Sequence, residues 1–246
     1  MPKVGFISDI HGNIDALQAI LKRLDEEDCD MVVCLGDVVG YGGCPAECIN
    51  LLREKEIPTV KGNHDDYVST FANTRVNRLR NEIQQSIQWT QSHLSFEDLA
   101  WLGKLPMRLK CEYFTALHAS FCPHPLEWSY CLDEETFAIN FKFQDAQLGF
   151  CGHSHSPLIG IETKDGKPYV DFIHRIKVPT KQKVMINIGS AGQPRDRDTR
   201  ACAATFDLTT RELKLVRAEY DIIHAQAKIR EAGLPEKFAS RLEFGR

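Results

Sequence analysis

The sequence predicts an α/β fold with two β-layers and helices outside them. Three observations carry this: short apolar runs alternate with amphipathic stretches through the first third, a series of shorter β-like runs follows Pro106, and no linker, repeat or low-complexity tract divides the chain. In order, residues 3–8 read as a buried strand. Asn13 is an N-cap, followed at helical spacing by Ile14, Leu17, Leu21 and Leu24. Residues 31–35 form a second apolar run, Pro45 opens a helix through Leu52, and 57–61 read as a third strand. This rhythm predicts βαβ units and a largely parallel sheet. Val76, Leu79, Ile83, Ile87 and Leu94 hold one face of a helix over about 75–94, and Ser95 caps another over 96–103, with Glu97 and Asp98 in its first turn. Strands are expected at 107–111, 113–117, 146–151, 158–162, 168–173, 183–188, 201–207 and 212–218. Asp165-Gly166 is a hairpin turn between two of them. One helix, about 133–143, interrupts this half. A last helix starts near Asp221 and ends at Gly233-Leu234-Pro235.

Composition narrows the function classes. The chain has 246 residues, 43% hydrophobic and 26% charged, which excludes disordered, collagen-like and coiled-coil chains. A chain of this length buries roughly 70–75% of its unfolded surface and needs no disulfide staples. One domain over 1–246 is expected. With 34 acids and 30 bases the net charge is −4, so a protein that coats a nucleic-acid duplex is not favoured. No apolar run is long enough for a membrane span. The start, Met1 to Ile7, turns polar at Ser8-Asp9 and lacks a signal-peptide core. Nine cysteines, an odd count with no CxxC pair, read as free thiols in a reducing compartment, hence a cytoplasmic protein.

Five short segments each follow an expected strand: Asp9-Ile10-His11, Gly36-Asp37, Gly62-Asn63-His64-Asp65, His118, and Gly152-His153-Ser154-His155. Residues beyond the carboxyl ends of strands converge on one crevice in α/β sheets. Two Asp, one Asn and five His would then meet there. Carboxylate oxygens and imidazole nitrogens are ligands for Zn²⁺, Mn²⁺, Fe and similar ions. Seven of the eight make two shells if one Asp bridges, leaving a histidine for proton transfer. A D-x-H or H-x-H on an extended strand end points both side chains the same way. The glycines before Asp37, Asn63 and His153 allow close backbone approach. Two divalent cations, less two carboxylates and a hydroxide, leave roughly +1 facing the cleft, which favours an anionic substrate. Such a pair can lower the pKa of a water, orient it and stabilise both apical oxygens of displacement at phosphorus.

In this order the segments resemble the calcineurin-like metallophosphoesterases, whose pattern is D-x-H, G-D-x-x-x-x-G, G-N-H-[DE], a lone H, and G-H-x-H. Here these are Asp9-Ile10-His11, Gly36-Asp37-Val38-Val39-Gly40-Tyr41-Gly42, Gly62-Asn63-His64-Asp65, His118 and Gly152-His153-Ser154-His155. The stretch from Asn187 to Arg195 is similar to a further segment of the small stand-alone prokaryotic members. The resemblance implies a four-layer αββα sandwich of two mixed sheets with helices on both outer faces. It implies one metal on Asp9, His11, Asp37 and His155 and another on Asp37, Asn63, His118 and His153, Asp37 bridging. The two ions would come from Mn, Fe, Zn, Ni or Mg. His64 would protonate the leaving alkoxide, held by Asp65 or another carboxylate, as hydroxide on the metals attacks phosphorus. Two departures stand out: Ala119 follows His118 where the family usually has Gly, and the Gly motif runs one residue short, with Gly40 and Gly42 both available.

The expected function is hydrolysis of a phosphodiester, or a phosphomonoester, in a small molecule or nucleotide. A diester is favoured because few basic side chains lie near the motifs. Asn13, Arg195 and Arg197 are candidate phosphate contacts, Arg195 at the rim of the cleft. A nuclease of the same superfamily would need a basic groove. A non-catalytic protein-interaction module would be expected to lack ligands or His64, and all are present. A homo-oligomer is left open.

Overall fold

The computed structural model describes residues 2–246; Met1, the first residue of the expected domain, lies outside them. The elements are β1 (Lys3–Ile7), α1 (Ile14–Glu26), β2 (Met31–Cys34), α2 (Pro45–Glu54), α3 (Asn63–Ser69), α4 (Asn81–His93), α5 (Phe96–Lys104), β3 (Arg108–Lys110), β4 (Thr115–Leu117), α6 (Glu134–Phe143), β5 (Leu148–Cys151), β6 (Pro157–Ile161), β7 (Tyr169–Phe172), β8 (Arg175–Lys177), β9 (Val184–Ile188), β10 (Ala201–Asp207), β11 (Glu212–Ala218), α7 (Ile222–Glu231) and α8 (Glu236–Ser240). The helix starts follow from their caps. Asn13 accepts from the Ala16 N–H, Ser95 and Asp98 form a reciprocal capping box, and Asp133 and Asp221 cap α6 and α7.

The strands form two mixed sheets, ordered β2-β1-β10-β11-β8 and β3-β4-β5-β9-β6-β7. Period-two burial sorts each strand between two cores. Val4 and Phe6 of β1, Ala204 and Phe206 of β10, Phe150 of β5, and Val184, Ile186 and Ile188 of β9 fill the space between the sheets. Phe6 and Phe150 stack there at 3.9 Å. Ile7, Ala201 and Ala203 face the other way, onto α1 and α2. Met185 of β9 faces Phe137 and Phe141 of α6 on the far side. The layers are therefore helix, sheet, sheet, helix. Each fully buried Phe or Leu in the middle layer contributes about 1.5–3 kcal/mol.

The first sheet is mixed, not largely parallel: β1 pairs in parallel with β2, but β10, β11 and β8 all pair antiparallel. Residues 57–61 make only one bridge, Cys34 to Thr59, because Pro58 has no N–H to give to a ladder. The expected 75–94 helix starts at Asn81, after a 3₁₀ turn at Val76–Arg78. The expected strand at 168–173 is β7, and an unforeseen β8 follows it in the other sheet, so the chain changes layer at Ile173-His174. Beyond Gly233, α8 and a 3₁₀ turn at Arg241–Glu243 pack with α7 onto Tyr41. Pro235 opens α8 rather than ending the helical region. All nine cysteines are free and most are buried. Among the described residues no helix is long and apolar enough to cross a membrane.

Candidate metal centre

The five segments meet at one end of the sheets, and backbone bonds knit them together. The Asp9 N–H donates to Gly36 O at 2.9 Å, His11 N–H to Asp37 O at 3.0 Å, and Gly152 N–H to His118 O at 2.9 Å. The residues are not extended. Asp9, His11, Asp37, His153 and His155 all have left-handed backbones, with φ of 52°, 50°, 52°, 68° and 59°. Such a conformation costs a non-glycine residue on the order of 1–3 kcal/mol, and it persists only where the surroundings hold it. Asp9 and His11 still point to one side, because Ile10 between them is driven into the helix-facing core. Ala119 is not among the left-handed residues, so its backbone is ordinary and the usual glycine is not required.

The seven expected ligands are all buried. Asp9, His11 and His155 each bring a ligand atom within 4.8 Å of the others, as do Asp37, His118 and His153. Asp37 Oδ2 stands 3.6 Å from His11 Nε2 and 3.3 Å from His118 Nε2. Asn63 Oδ1 is 3.1 Å from His118 Nε2, and His155 Nε2 is 3.2 Å from Asp9 Oδ1. Ligand atoms sharing one ion at about 2.0–2.2 Å lie roughly 3–3.5 Å apart, so this spacing suits metal ions. His11, Asp37 and His64 make a third such group.

Tautomers give an independent test of fit. His11, His118 and His155 each place Nδ1 on a backbone carbonyl, of Val39, Leu35 and Gln193, at 3.1, 2.7 and 2.6 Å. Each Nδ1 therefore carries the proton, and each Nε2 offers a lone pair to the cluster. His153 is reversed: its Nε2 lies 2.9 Å from Trp128 O, which leaves Nδ1 free. His11 Nε2 and His155 Nε2 face each other at 3.2 Å with no proton between them, and Asp9 Oδ1 is buried without a hydrogen-bond partner. Two opposed lone pairs and an orphaned carboxylate oxygen are what a bound cation would satisfy. Burial holds His11 and His155 below the ordinary histidine range and His153 down to about 3, so all three are neutral donors. Burial also pulls on His118, but Asp37 and Asp9 outweigh it and lift the ring to about 9; a cation would replace that proton. Burial would raise Asp37, yet His118 and His64 hold its carboxyl well below the usual range.

His64 differs from the other four. Its ring Nε2 is 3.0 Å from Tyr41 Oη, and its Nδ1 is buried without a partner. Gly40, at φ 92°, permits this, since a Cβ there would strike Nδ1. Asp65 does not hold His64, contrary to expectation. Its carboxylate accepts the N–H groups of Asp37, Val38, Val39 and Gly62 at 2.9, 2.9, 3.3 and 2.9 Å, with no capacity left for the ring. No other carboxylate bonds the ring either: the His64 backbone N–H donates to Asp37 Oδ1 at 2.8 Å, but the ring is held by a tyrosine. Burial and Asp37 push Asp65 up to about 7, while those N–H donors pull it down. Gly62 is required because a Cβ would overlap the Asp37 carboxylate.

A cavity of about 220 Å³ opens onto this cluster. It is lined by Asp37, Asn63, His64, His153 and His155, by the aromatic rings of Tyr41, Tyr67, Trp128 and Tyr130, and by Arg195. Tyr130 stacks on His153 at 4.2 Å. Arg195 makes no ion pair with Asp196 or Asp198; these carboxylates pair with Arg217 and Arg200. Asn13 is not a phosphate contact: Oδ1 caps α1 and Nδ2 donates to Gly192 O at 2.9 Å. Arg197 lines a different hollow, with Thr199, Arg200 and Glu219. Asn187, Ser190 and Gln193 serve as struts. Asn187 Nδ2 donates to Gly152 O, Ser190 Oγ donates to Asp9 O at 2.8 Å, and Gln193 O receives His155. The sequence carried a signal for Tyr41, which sits between two motif glycines, but none for Trp128 and Tyr130, which lie in an irregular loop.

A four-layer sandwich with carboxylate and imidazole clusters at its strand ends, open to a small cavity, defines a hydrolase of phosphoric esters. The chain belongs to the calcineurin-like phosphoesterase superfamily, whose domain model matches residues 3–211. That superfamily uses divalent metal ions. An uncharacterized protein of Methanocaldococcus jannaschii is 34% identical over 99% of this chain and 98% of its own. Among solved structures, a metallophosphoesterase from Sphaerobacter thermophilus has a TM-score of 0.85 at 36% identity, covering 100% of this chain and 99% of that one. A protein from Pyrococcus horikoshii OT3 has a TM-score of 0.79 at 19% identity, with 100% and 99% covered, and shares the fold.

Proposed function

We propose that this phosphoesterase is dinuclear, that it prefers phosphodiesters to phosphomonoesters, and that the whole chain works as one cytoplasmic domain. The observation that supports it best is the position of Asp37 Oδ2 between the two ligand groups, 3.6 Å from His11 and 3.3 Å from His118. Asp9, His11, Asp37 and His155 would hold one ion, and Asp37, Asn63, His118 and His153 the other. When bound, the pair supplies Lewis acidity and a water of lowered pKa. The remaining work falls to the chain. Arg195 at the rim binds an anionic group, and the aromatic walls exclude bulk water. His64 gives a proton from Nε2 to the leaving oxygen. Burial holds free His64 down to about 4, and an anionic ester in the cavity opposes that and favours the charged ring. Tyr41, itself pushed up to about 12 by burial, stays protonated and fixes the ring plane. With one guanidinium in the lining and no lysine, the cavity suits a diester monoanion better than a monoester dianion.

The test combines metal counting with an ester screen. Elemental analysis after Mn²⁺ loading should give close to two equivalents per chain. Asp37→Asn should deplete both sites, and His11→Ala mainly one. Bis(4-nitrophenyl) phosphate should be turned over faster than 4-nitrophenyl phosphate. A single equivalent of metal in the wild type sinks the dinuclear assignment.

A further inference from the structure

Two guanidiniums from distant parts of the chain converge on one neutral acceptor. Gln193 Oε1 receives Arg195 Nη2 at 2.9 Å and Arg241 Nη1 at 3.2 Å. Both Nε atoms are buried without a partner. Among the described residues neither arginine makes an ion pair, since the neighbouring Asp196 and Asp198 are engaged by Arg217 and Arg200. Burial, then the charge of Arg195, depress the Arg241 guanidinium; Tyr41 partly offsets them, Arg80 adds to them, and no carboxylate takes part. Two half-buried like charges on one amide oxygen repel each other, and their unused donors form planar forks suited to an oxyanion.

Position gives this pair its meaning. Arg195 lines the cavity with Asp37 and His155, and its backbone N–H donates to His155 O at 3.1 Å. Arg241 arrives on the 3₁₀ turn after α8, which packs on Tyr41 through Phe238 at 4.8 Å. It lies beyond the residues that the family domain covers. An ester whose only phosphoryl group sits on the metal ligands would leave uncompensated both Arg195 in the cavity lining and Arg241, which reaches it across Gln193.

We propose that Arg195 and Arg241 form a subsite for a second phosphoryl group, so that the substrate is a phosphoester carrying two phosphoryl groups rather than one. The proposal rests on the phosphoesterase function above. With Mn²⁺ in excess, AMP and ADP are compared as inhibitors of bis(4-nitrophenyl) phosphate hydrolysis. Charge-assisted contacts to the second group should make ADP bind about tenfold or more tighter than AMP. Arg241→Gln should shrink that ratio to within about threefold, and Arg241→Lys, which keeps the charge but not the fork, should retain part of it. The Lys variant also decides the matter if the Gln variant melts early. ADP binding no tighter than AMP in the wild type overturns the proposal. So does an equal loss for both nucleotides in Arg241→Gln, which would place the pair on the first phosphoryl group. If no ester is hydrolysed, the dinuclear phosphoesterase proposal fails on its own, and the same ratio read by calorimetry still decides the subsite.

Discussion

At the scale of single residues, the contact of His64 with Tyr41 bears on whether His64 acts as the proposed proton donor or as a ligand. The ring is near enough to His11 and Asp37 to join a metal, yet its Nε2 faces a phenol and its Nδ1 faces Gly40. A donor role means that His64→Ala keeps its metal while kcat falls by about 10²–10⁴ on an alkyl ester. The loss should be smaller on a nitrophenyl ester, whose leaving group needs little protonation. Tyr41→Phe removes one hydrogen bond, of about 1 kcal/mol, and should cost roughly fivefold on the alkyl ester alone. Equal losses on both esters, or loss of metal in His64→Ala, would count against the role. The motif histidines were legible as a group, since five of them with flanking glycines and carboxylates have one chemistry in common. Their tautomers were not. Those depend on the carbonyls of Val39, Leu35, Gln193 and Trp128, which tertiary structure alone brings to the rings.

At the scale of elements, α3 shows how a motif residue expected to hold the His64 ring can have other partners. Asn63, His64 and Asp65 occupy the first turn of this helix, where unpaired N–H groups attract a carboxylate. Asp65 therefore reaches back to its own N-cap, Gly62, and across to residues 37–39, tying α3 to the turn that carries Asp37. Its place in the motif suggested a partner for the His64 ring; its partners make it a brace. Asp65→Asn trades an acceptor oxygen for an NH₂ that faces N–H donors. A loss of about 2–3 kcal/mol is expected, seen as a fall in Tm of roughly 4–12 °C for a chain of this size. Metal affinity should fall with it, because Asp37 loses its support. An Asp65→Asn variant with wild-type Tm and metal content but a changed pH–rate profile would return Asp65 to catalysis. The strand pattern was legible wherever both faces of a strand were apolar. It failed at 57–61, where one proline limits pairing, and at β8, whose alternation is too short to register against its polar neighbours.

At the scale of the whole molecule, the fold concentrates unfavourable terms at one end of its sheets. The left-handed backbones of Asp9, His11, Asp37, His153 and His155, the buried carboxylates of Asp9 and Asp37 and opposed imidazole lone pairs meet there. The rest of the chain supplies ordinary packing: an inter-sheet core of Val, Ile and Phe, with helices on either side. That division explains why the four layers could be anticipated from periodicity and family pattern, whereas the C-terminal cover could not. The α8 segment has too few apolar positions to show a period, and its value lies in Phe238 and Arg241 meeting Tyr41 and Gln193. It also predicts how the molecule responds to metal. Cations that bind the folded state and not the unfolded one stabilise it by about 2.7 kcal/mol per site at a hundredfold excess over Kd. Two sites give roughly 5 kcal/mol, which for a chain of this length raises Tm by about 10–20 °C. Calorimetry of chelator-stripped and Mn²⁺-loaded protein measures this directly. In Asp37→Asn the rise should nearly vanish if, as proposed, both ions share that carboxylate, and in His11→Ala about half should remain. A full-sized rise in Asp37→Asn would mean that the metals stabilise the fold elsewhere than at this cluster.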